Sequence, residues 1–330
     1  MMGEFELIAR YFTRPTRRAV LGIGDDCALL QPAPGMHLAI STDMLVAGRH
    51  FFPDVDPRTL GHKALAVNLS DLAACGARPL AFTLALALPD ATAQWLEPFS
   101  QGLLALADAH GCELIGGDTT QGPLNICITV FGEVPAGAAL LRSGARAGDD
   151  LYVSGALGDA RLALEALQGT HPLPPEVLAQ ARLRLEQPTP RVALGLALRG
   201  IASAAADVSD GLLGDLGHIL QRSGLGATIE THIAIDLLAA CAASAGATGL
   251  NGLQIDPDQA LRCVLAGGDD YELVFTAAVA QRAAVQAAAA ASGTPVTRIG
   301  HIERAPGLRL VDAQGAAVAN TFTSFDHFAP

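Results

Sequence analysis

The sequence predicts an α/β or α+β fold with two domains. Segments with strand-like and helical patterns alternate along both halves of the chain. The 330 residues are 50% hydrophobic, which is enough for two buried cores. Between the halves, residues 134–150 are rich in Gly and Ala and show no sustained periodicity. We therefore expect an N-terminal domain over residues 1–137, a linker over residues 138–150 and a C-terminal domain over residues 151–330.

The first half contains the clearest helix boundaries. Asp56 and Pro57 have the residue types of an N-cap and a first helical position, and Gly76 is typical of a helix end. Asn68 and Asp71 lie three residues apart on this helix, so they share a face. The other elements are a helix over residues 6–12, strands in LGIGDD and HLAISTDMLV, a strand over residues 80–88, a helix over residues 95–110, and strands in CELIGGDTT and LNICITVFGEV.

The second half continues the alternation without repeating the first. DLYVSGALGDA predicts a strand and a turn, and the proline-rich THPLPPEV and EQPTPR predict a connection. The elements expected after it are a helix in ALGLALRG, a helix from Gly211 in ADVSDGLLGDLGHIL, a helix over residues 258–265, the turn GGDDYE, a strand in ELVFTA, an Ala-rich helix and a last strand region.

The charge composition argues against a nucleic acid or a membrane as partner. The net charge is -12 and the chain has no basic run. The negatively charged backbone of a nucleic acid and an anionic lipid surface would therefore both repel it. The N-terminus lacks the apolar core of a signal peptide, and AFTLALALP is too short to span a bilayer. The six cysteines include no C-x-x-C pair, which is typical of buried thiols in a reducing compartment. We expect a cytoplasmic protein.

Lysine is nearly absent, and this limits how the chain can bind a nucleotide. Lys63 is the only lysine, and its context LGHKALA matches neither a P-loop nor the phosphate-binding strand of a protein kinase. A nucleotide site in this chain must therefore use metal ions, arginine and backbone amides. GGDTTQG offers backbone amides beside a carboxylate, and Arg142 is a candidate phosphate clamp. Arg142 could equally be a solvated linker residue.

Aspartate recurs where a predicted strand ends or a helix begins, beside Gly, Ser or Thr. The residues are Asp25 and Asp26 in GIGDD, Asp43 in ISTD, Asp71 in NLSD, Asp118 in GGDTT, Asp207 and Asp210 in DVSDG, and Asp269 and Asp270 in GGDDYE. Each one alone has a structural explanation as a turn residue or a helix cap. Together they favour a polyphosphate site with two or more Mg²⁺ ions, because converging carboxylates repel each other unless cations lie among them.

Other metal sites fit the sequence less well. No His or Cys cluster has the spacing of a zinc site, and the EF-hand pattern is absent. Within GIGDD, side-chain alternation would send Asp25 and Asp26 to opposite sides if a strand persists through them. Asp25 is then expected either to orient the turn through backbone hydrogen bonds or to support a neighbouring metal ligand without touching the ion. His50 could pack against Phe51 and Phe52 or point at a substrate from its loop.

Nine motifs in order carry a resemblance to a known family. They are GEFELIARYF, LGIGDDCALL, AISTDMLVAGRHF, KALAVNLSDLAACGARP, LIGGDTT, RSGARAGD, DVSDGLLGDLGHI, GGDDYELVFT and the closing FDHF. Together they resemble the thiamine-monophosphate kinases, within the wider group of enzymes similar to aminoimidazole ribonucleotide synthetase. The resemblance covers nearly the whole chain, and GEFELIARYF and GGDDYEL favour the thiamine-phosphate branch.

The resemblance implies an activity and an assembly. The expected reaction is phosphorylation of thiamine monophosphate to thiamine diphosphate, with ATP as co-substrate and several Mg²⁺ ions. The expected assembly is a homodimer in which the sheet of the N-terminal α/β domain pairs with that of a second subunit to form a β-barrel. The C-terminal α/β sandwich domain is expected to complete the active site.

The resemblance also implies roles for individual residues. The implied metal ligands are Asp26, Ser41, Thr42, Asp43, Asp71, Asp118, Asp207 and Asp210. The implied ATP contacts are Gly117, Asp118, Arg142 and Ser209, and the implied substrate contacts are His50, Asp269 and Phe322. Two positions depart from the family pattern, because the acidic turn often reads GGEDYE and the tail often carries Trp. Asp269 is shorter by one methylene, and Phe322 keeps an apolar face without an indole N–H.

Direct in-line phosphoryl transfer suits this chemistry. The phosphate oxygen of thiamine monophosphate is already ionised at neutral pH, so the reaction needs neither a general base nor a covalent nucleophile. Two alternatives remain. One is a related ATP-dependent synthetase of the same fold that activates an amide, selenium or sulfur acceptor. The other is a regulator that binds ATP without turnover, although such a protein has no need for many mutually repelling carboxylates.

Overall fold

The structure, a computed structural model, describes residues 3–239 and 255–325. The chain forms two compact units. The first contains the chain up to Leu72 and Ala77–Ala139, and the second contains Ala73–Gly76 and the chain from Leu140 onward. The roles that the sequence predicts for these units remain predictions.

The first unit combines three helices with four strands. They are α1 (Glu4–Tyr11), β1 (Met36–Val46), α2 (Pro57–Ala74), β2 (Arg78–Leu88), α3 (Ala93–His110), β3 (Glu113–Gln121) and β4 (Asn125–Pro135). The sheet has the strand order β1-β4-β2-β3. The pairs β1–β4 and β4–β2 are antiparallel, and β2–β3 is parallel. Strands β1 and β3 are therefore the two edges of this sheet.

Helices α2 and α3 follow the sequence signals closely. Helix α2 begins at Pro57, and the Arg58 N–H donates to the Asp56 carboxylate (2.8 Å). Helix α3 ends at His110 and is capped by Gly111, whose φ of 58° suits the left-handed C-cap. The two helices touch at their backbones, because a Cβ at Gly102 would lie 1.9 Å from the Arg58 carbonyl oxygen. Glycine is required at this contact.

The second unit is built on a larger mixed sheet. Its elements are β5 (Asp150–Ser154), α4 (Asp159–Leu167), α5 (Pro175–Glu186), α6 (Val192–Ala197), β6 (Ala204–Val208), α7 (Leu212–Ser223), β7 (Gly226–Glu230), α8 (Thr231–Ala234), α9 (Pro257–Ala266), β8 (Glu272–Ala277), α10 (Arg282–Ser292), β9 (Val296–Glu303), β10 (Gly307–Val311) and β11 (Ala317–Val318). The strand order is β11-β10-β7-β9-β5-β8-β6. Every residue of β5, β6 and β8 is buried, as expected for strands inside a core.

The alternation of helices and strands confirms the predicted mixed α/β, two-domain fold at this level. Two local predictions were wrong. LGIGDD forms only isolated bridges, because Gly24 has a φ of 124° that interrupts the extended backbone. The proline-rich connection contains helix α5, whose first residue is Pro175. Proline there sets the first helical φ and does not break the helix. Neither sheet closes into a barrel within the described residues.

The cysteines are only partly as predicted. Cys112 and Cys263 are buried, and burial raises the pKa of the Cys112 thiol. Cys75 and Cys127 are half-buried and Cys27 is exposed, so a buried thiol was wrong for Cys27. Cys27 directly follows the irregular GIGDD turn, which explains the exposure. Cys241 lies outside the described residues. Among the helices of the described chain, none has the length and apolar character needed to cross a bilayer.

Candidate active site

A cavity in the first unit brings together residues that are far apart in the sequence. Its volume is about 690 Å³. Asp25 and Asp26 reach it from the GIGDD turn, and Gly117 and Asp118 reach it from β3. Apolar side chains of α1, such as Phe5, also line it. Carboxylates beside an apolar wall suit a ligand that carries both a polyphosphate and an organic ring.

The GIGDD turn places both of its aspartates on this cavity. The Asp26 N–H donates to Asp25 Oδ1 (2.9 Å), which is the backbone contact predicted for Asp25. The prediction that the two side chains point to opposite sides required a strand through both residues, and no strand persists there. The reason is again Gly24, whose positive φ removes the strand alternation on which the prediction depended.

Gly117 puts Asp118 at the cavity through a close backbone approach. Gly117 has a φ of 146°, and a Cβ there would lie 1.9 Å from the Leu84 carbonyl oxygen on β2. Only glycine fits this position. The register of β2 and β3 shifts at Phe82 and Thr83, just before Asp118 pairs with Ala85. An irregularity of this kind re-aims the side chains that follow it.

A second group of predicted site residues joins β1 to α2. The Ser41 hydroxyl donates to Asp71 Oδ2 (2.5 Å), and the Asp43 N–H donates to Asn68 Oδ1 (3.1 Å). Asn68 is buried, and its amide also donates to the Ala64 carbonyl oxygen (3.0 Å). The shared helix face predicted for Asn68 and Asp71 is therefore confirmed, and it is the face that contacts β1.

Thr42 lies on the other face of β1. Its hydroxyl is hydrogen-bonded to the Thr129 hydroxyl on β4 (2.8 Å) and is exposed. Ser41 and Thr42 are neighbours in the sequence, so strand alternation separates their side chains. The structure thus brings Ser41 to Asp71 but does not bring Thr42 with them.

The two groups of the first unit lie at opposite edges of its sheet. Three inter-strand steps separate β1 from β3, or roughly 14 Å. Across the residues that the structure describes, no three His, Cys, Asp or Glu side chains are grouped closely enough to hold a metal ion. The carboxylates of this unit therefore form two separate groups at the two edges of one sheet.

His50 lies in the loop that follows β1. Its Nδ1 accepts the Val46 N–H (2.9 Å), so one ring nitrogen is used to shape the loop. The ring is half-buried, and Phe51 beside it is buried. Both the packing role and the substrate role considered for His50 are compatible with this position.

In the second unit, Asp207, Ser209 and Asp210 follow one another at the end of β6. Asp207 is buried, while Ser209 and Asp210 are half-buried in the loop. The N–H groups of Ser209 and Asp210 both donate to Asp215 Oδ2 (3.0 and 3.1 Å). Asp215 thus holds the loop in shape from the first turn of α7.

Asp215 is a residue that the sequence reasoning missed. Burial raises the pKa of its carboxyl to about 7, and the charge of Asp210 acts in the same direction. The two backbone hydrogen bonds and the charge of Arg142 act against this shift. The charge of Arg142 thus acts on Asp215, the residue that holds the DVSD loop. An aspartate in the first turn of a predicted helix was the available signal.

The GGDDYE turn is joined to the same loop. The Asp269 N–H donates to the Ser209 carbonyl oxygen (2.7 Å). The next residue, Asp270, is buried, and burial raises the pKa of its carboxyl well above the usual range. The structure therefore places Asp269 beside Ser209 and Asp210, as a shared site in this unit requires.

The C-terminal tail also reaches the DVSD loop. The Gly214 N–H donates to the Ser324 hydroxyl (2.8 Å), and the Phe325 N–H donates to the Asp210 carbonyl oxygen (3.0 Å). Phe322 packs, half-buried, against the hydrophobic core of this unit. Of the closing motif FDHF, residues 326–328 lie outside the described chain.

Two family models match successive parts of the chain. Residues 24–134 match the N-terminal domain of AIR synthase related proteins, and residues 146–313 match the C-terminal domain. The fold and these two matches therefore define a two-domain protein of the AIR synthase related class.

Sequence relatives narrow the class to one branch. The thiamine-monophosphate kinase of Salmonella typhimurium is 49% identical, over 99% of this chain and 98% of its own length. That of Escherichia coli is 47% identical over the same shares. The chain belongs to the thiamine-monophosphate kinase family. This confirms the resemblance seen in the motifs and, at the level of the family, the prediction of a phosphotransferase enzyme.

Solved structures agree with this assignment. The thiamine-monophosphate kinase of Stenotrophomonas maltophilia is 46% identical with a TM-score of 0.80, covering 91% of this chain and 92% of its own. A structure described as AaThiL complexed with AMPPCP and TMP is 28% identical with a TM-score of 0.74, covering 99% and 97%. An Escherichia coli hydrogenase maturation protein, HypE, is 21% identical with a TM-score of 0.74 over 98% and 97%, and shares the fold.

Proposed function

We propose that this protein transfers a phosphoryl group from ATP to thiamine monophosphate and so forms thiamine diphosphate. The observation that carries the proposal is the cavity at which Asp26, Gly117 and Asp118 meet, a combination suited to a metal-bound polyphosphate. The family membership gives the reaction, and the neighbour complexed with AMPPCP and TMP supports the pair of ligands.

The donor atoms on the candidate site fit Mg²⁺. They are carboxylate and hydroxyl oxygens, the hard ligands that this ion prefers. The residues proposed to hold the ions are Asp26, Ser41, Thr42, Asp43, Asp71, Asp118, Asp207 and Asp210. The hydrogen bond between Ser41 and Asp71 and the shared cavity lined by Asp26 and Asp118 support two of these groupings. Bound Mg²⁺ would neutralise the charge between two phosphates.

We assign the nucleotide to Gly117, Asp118, Arg142 and Ser209, and the substrate to His50, Asp269 and Phe322. The Gly117 backbone can approach a phosphate closely, because it carries no side chain. Arg142 supplies a planar guanidinium for phosphate oxygens. The backbone hydrogen bond from the Asp269 N–H to the Ser209 carbonyl oxygen supports this assignment. It holds the proposed substrate contact and the proposed nucleotide contact of the second unit side by side.

The transfer proposed is a single in-line displacement. An ionised phosphate oxygen of thiamine monophosphate attacks the γ-phosphorus of ATP, and ADP leaves with the electron pair. The side chains of this chain bind and orient the two phosphates and accept no proton. We expect no phosphoenzyme, so a labelled phosphoprotein trapped after turnover of γ-labelled ATP would contradict this mechanism.

We also propose that the chain acts as a homodimer through the sheet of the first unit. Alternate residues of β1, namely Leu38, Ile40, Thr42 and Met44, form what we call the open face. Ile40 and Met44 are 60% and 53% exposed, which is unusual for large apolar side chains on a strand. A second copy that pairs with the sheet edges and forms the shared β-barrel would cover this face.

The decisive test offers purified protein ATP and thiamine monophosphate and measures thiamine diphosphate by HPLC. Product formation in proportion to ADP is expected. Asp118→Asn and Asp210→Asn should each lower turnover by about two orders of magnitude with the fold intact. Near-normal activity of either variant at saturating Mg²⁺ would remove that residue from the metal set.

The same assay addresses the two alternative functions. A related synthetase would consume ATP with an amide, selenium or sulfur acceptor instead, and a regulator would bind ATP without turnover.

We also retain the cytoplasmic location as a prediction, testable by fractionation of cells that express the chain.

A further inference from the structure

The GGDDYE turn has an unusual backbone conformation. Asp269 and Tyr271 have φ values of 60° and 51°, and in the described residues they are the only residues other than glycine with positive φ. A side chain in this region costs about 1 kcal/mol or more. Such a conformation persists only where the surrounding structure enforces it, and it tends to occur at functional sites.

Backbone hydrogen bonds enforce this conformation on both sides of Asp270. The Asp269 N–H donates to the Ser209 carbonyl oxygen (2.7 Å), and the Tyr271 N–H donates to the Val208 carbonyl oxygen (2.8 Å). The Gly158 N–H donates to Asp270 Oδ1 (2.8 Å), and the Asp270 side chain is only 1% exposed. The turn is therefore attached to the end of β6 and anchored in the interior.

The conformation has a direct effect on Asp269. The Tyr271 hydroxyl donates to Asp269 Oδ1 (3.0 Å). Tyr271 is buried, whereas Asp269 is half-buried. A hydrogen bond from a packed phenol restricts the carboxylate to one orientation, because the donor itself cannot move.

We propose that Tyr271 is a positioning residue for substrate selection, which holds the Asp269 carboxylate ready for the organic part of the phosphate acceptor. This inference rests on the proposed function, in which Asp269 contacts thiamine monophosphate. Tyr271 itself need not touch the substrate. Its hydroxyl pre-orders a carboxylate that would otherwise lose side-chain freedom on binding.

The test compares Tyr271→Phe with a matched control in the same unit. Tyr152 is also buried, and its hydroxyl donates to a carboxylate two residues away, at Asp150 Oδ2 (3.3 Å). Tyr152→Phe therefore removes the same group from a similar pair outside the proposed site. Thermal unfolding of both variants shows whether either substitution affects the fold.

We expect Tyr271→Phe to raise the KM for thiamine monophosphate about five- to tenfold, with kcat and the KM for ATP within about twofold of the parent. Tyr152→Phe should leave both KM values unchanged. In a chain that already carries Asp269→Ala, Tyr271→Phe should have no further effect, because the two groups act as one unit.

Each contrary outcome has a separate meaning. If the parent forms thiamine diphosphate but Tyr271→Phe has parental kinetics, the positioning role is wrong and the proposed function stands. Additive effects of Asp269→Ala and Tyr271→Phe, or an unchanged KM in Asp269→Ala, would also overturn the inference. If the parent forms no thiamine diphosphate, the proposed function fails and the inference fails with it.

Discussion

The two units treat their acidic residues differently. In the first unit, Asp26 and Asp118 are exposed, and Asp43 and Asp71 are half-buried on an edge strand and its helix. In the second unit, Asp207, Asp215, Asp270 and Glu272 are all buried. Exposed carboxylates remain hydrated until a cation arrives, whereas buried ones must be satisfied by the chain itself.

Glu272 shows how the second unit satisfies a buried charge. It accepts hydrogen bonds from Arg184 (2.7 Å), from Arg191 (2.5 and 2.6 Å) and from the Ser154 hydroxyl (2.6 Å). Gly155 leaves room for this carboxylate, since a Cβ there would lie 2.1 Å from Glu272 Oε1. Internal arginines thus fix the strand that carries the GGDDYE turn. The difference teaches that the chain supplies its own partners where a carboxylate is buried, as at Glu272, and does not need to do so where it is exposed, as at Asp26 and Asp118.

The largest expected effect comes from a substitution that breaks the hydrogen-bond network around Glu272. Glu272→Gln removes a fully buried carboxylate from the half-buried Arg184 and Arg191, so the free energy of unfolding should fall by about 3–5 kcal/mol. Urea unfolding measures this change. Glu186→Gln is the control, because its i,i+4 pair with Arg182 is more exposed and worth about 0.5 kcal/mol or less. If both variants lost the same free energy of unfolding, burial would not explain the strength of the Glu272 ion pairs.

The next prediction concerns exposed carboxylates of the first unit, whose replacement should affect activity and not stability. Asp26→Asn should lower kcat/KM about a hundredfold or more, while Asp25→Asn should lower it less than about tenfold. Neither should lower the melting temperature, because both side chains are exposed. Kinetics with HPLC detection and thermal unfolding measure the two quantities. A similar activity loss in both variants would show that the pair acts jointly.

The open face provides a third contrast between the units. Ile40→Glu should raise the Kd of a homodimer about a hundredfold, because two copies of a carboxylate would enter the interface. Leu183→Glu is the control, since Leu183 on α5 of the second unit is similarly exposed (57%, against 60% for Ile40). Sedimentation velocity over a range of concentrations measures both. If the two variants behave like the parent, the open face is not the interface.

The smallest expected effect is a dependence of stability on pH in the second unit. The Arg282 guanidinium donates to both carboxylate oxygens of Asp150 (2.6 and 2.8 Å) and lowers the pKa of Asp150. The stability that this pair contributes is present above the unfolded pKa of about 4, and it is lost as the pH falls through the lower folded pKa. Asp150→Asn should remove this part of the acid sensitivity, a smaller change than the one expected for Glu272→Gln. Unfolding curves between pH 7 and pH 3 measure it, and an unchanged slope would contradict the assignment.

Local sequence signals predicted several elements because their causes are local. Asp56, Pro57 and Gly111 act on the backbone within one helical turn, and α2 and α3 begin and end as these residues predict. The GIGDD turn was misjudged because a positive φ at Gly24 depends on surroundings that the pattern does not contain. Asp215 was missed because its partners, the Ser209 and Asp210 amides, become available only after β6 and α7 have packed.

By itself, the sequence determined the class of chemistry. A chain with one lysine and aspartates at successive turns can bind a polyphosphate only through cations, arginine and amides, and this follows from residue types alone. The tertiary structure decided which carboxylates meet. It placed Asp26 and Asp118 on one cavity, joined Ser41 to Asp71 by a hydrogen bond, and separated these groups by the width of a sheet. Strand order, burial and φ depend on contacts between segments that are distant in the sequence. The residue types of a short motif therefore do not predict them.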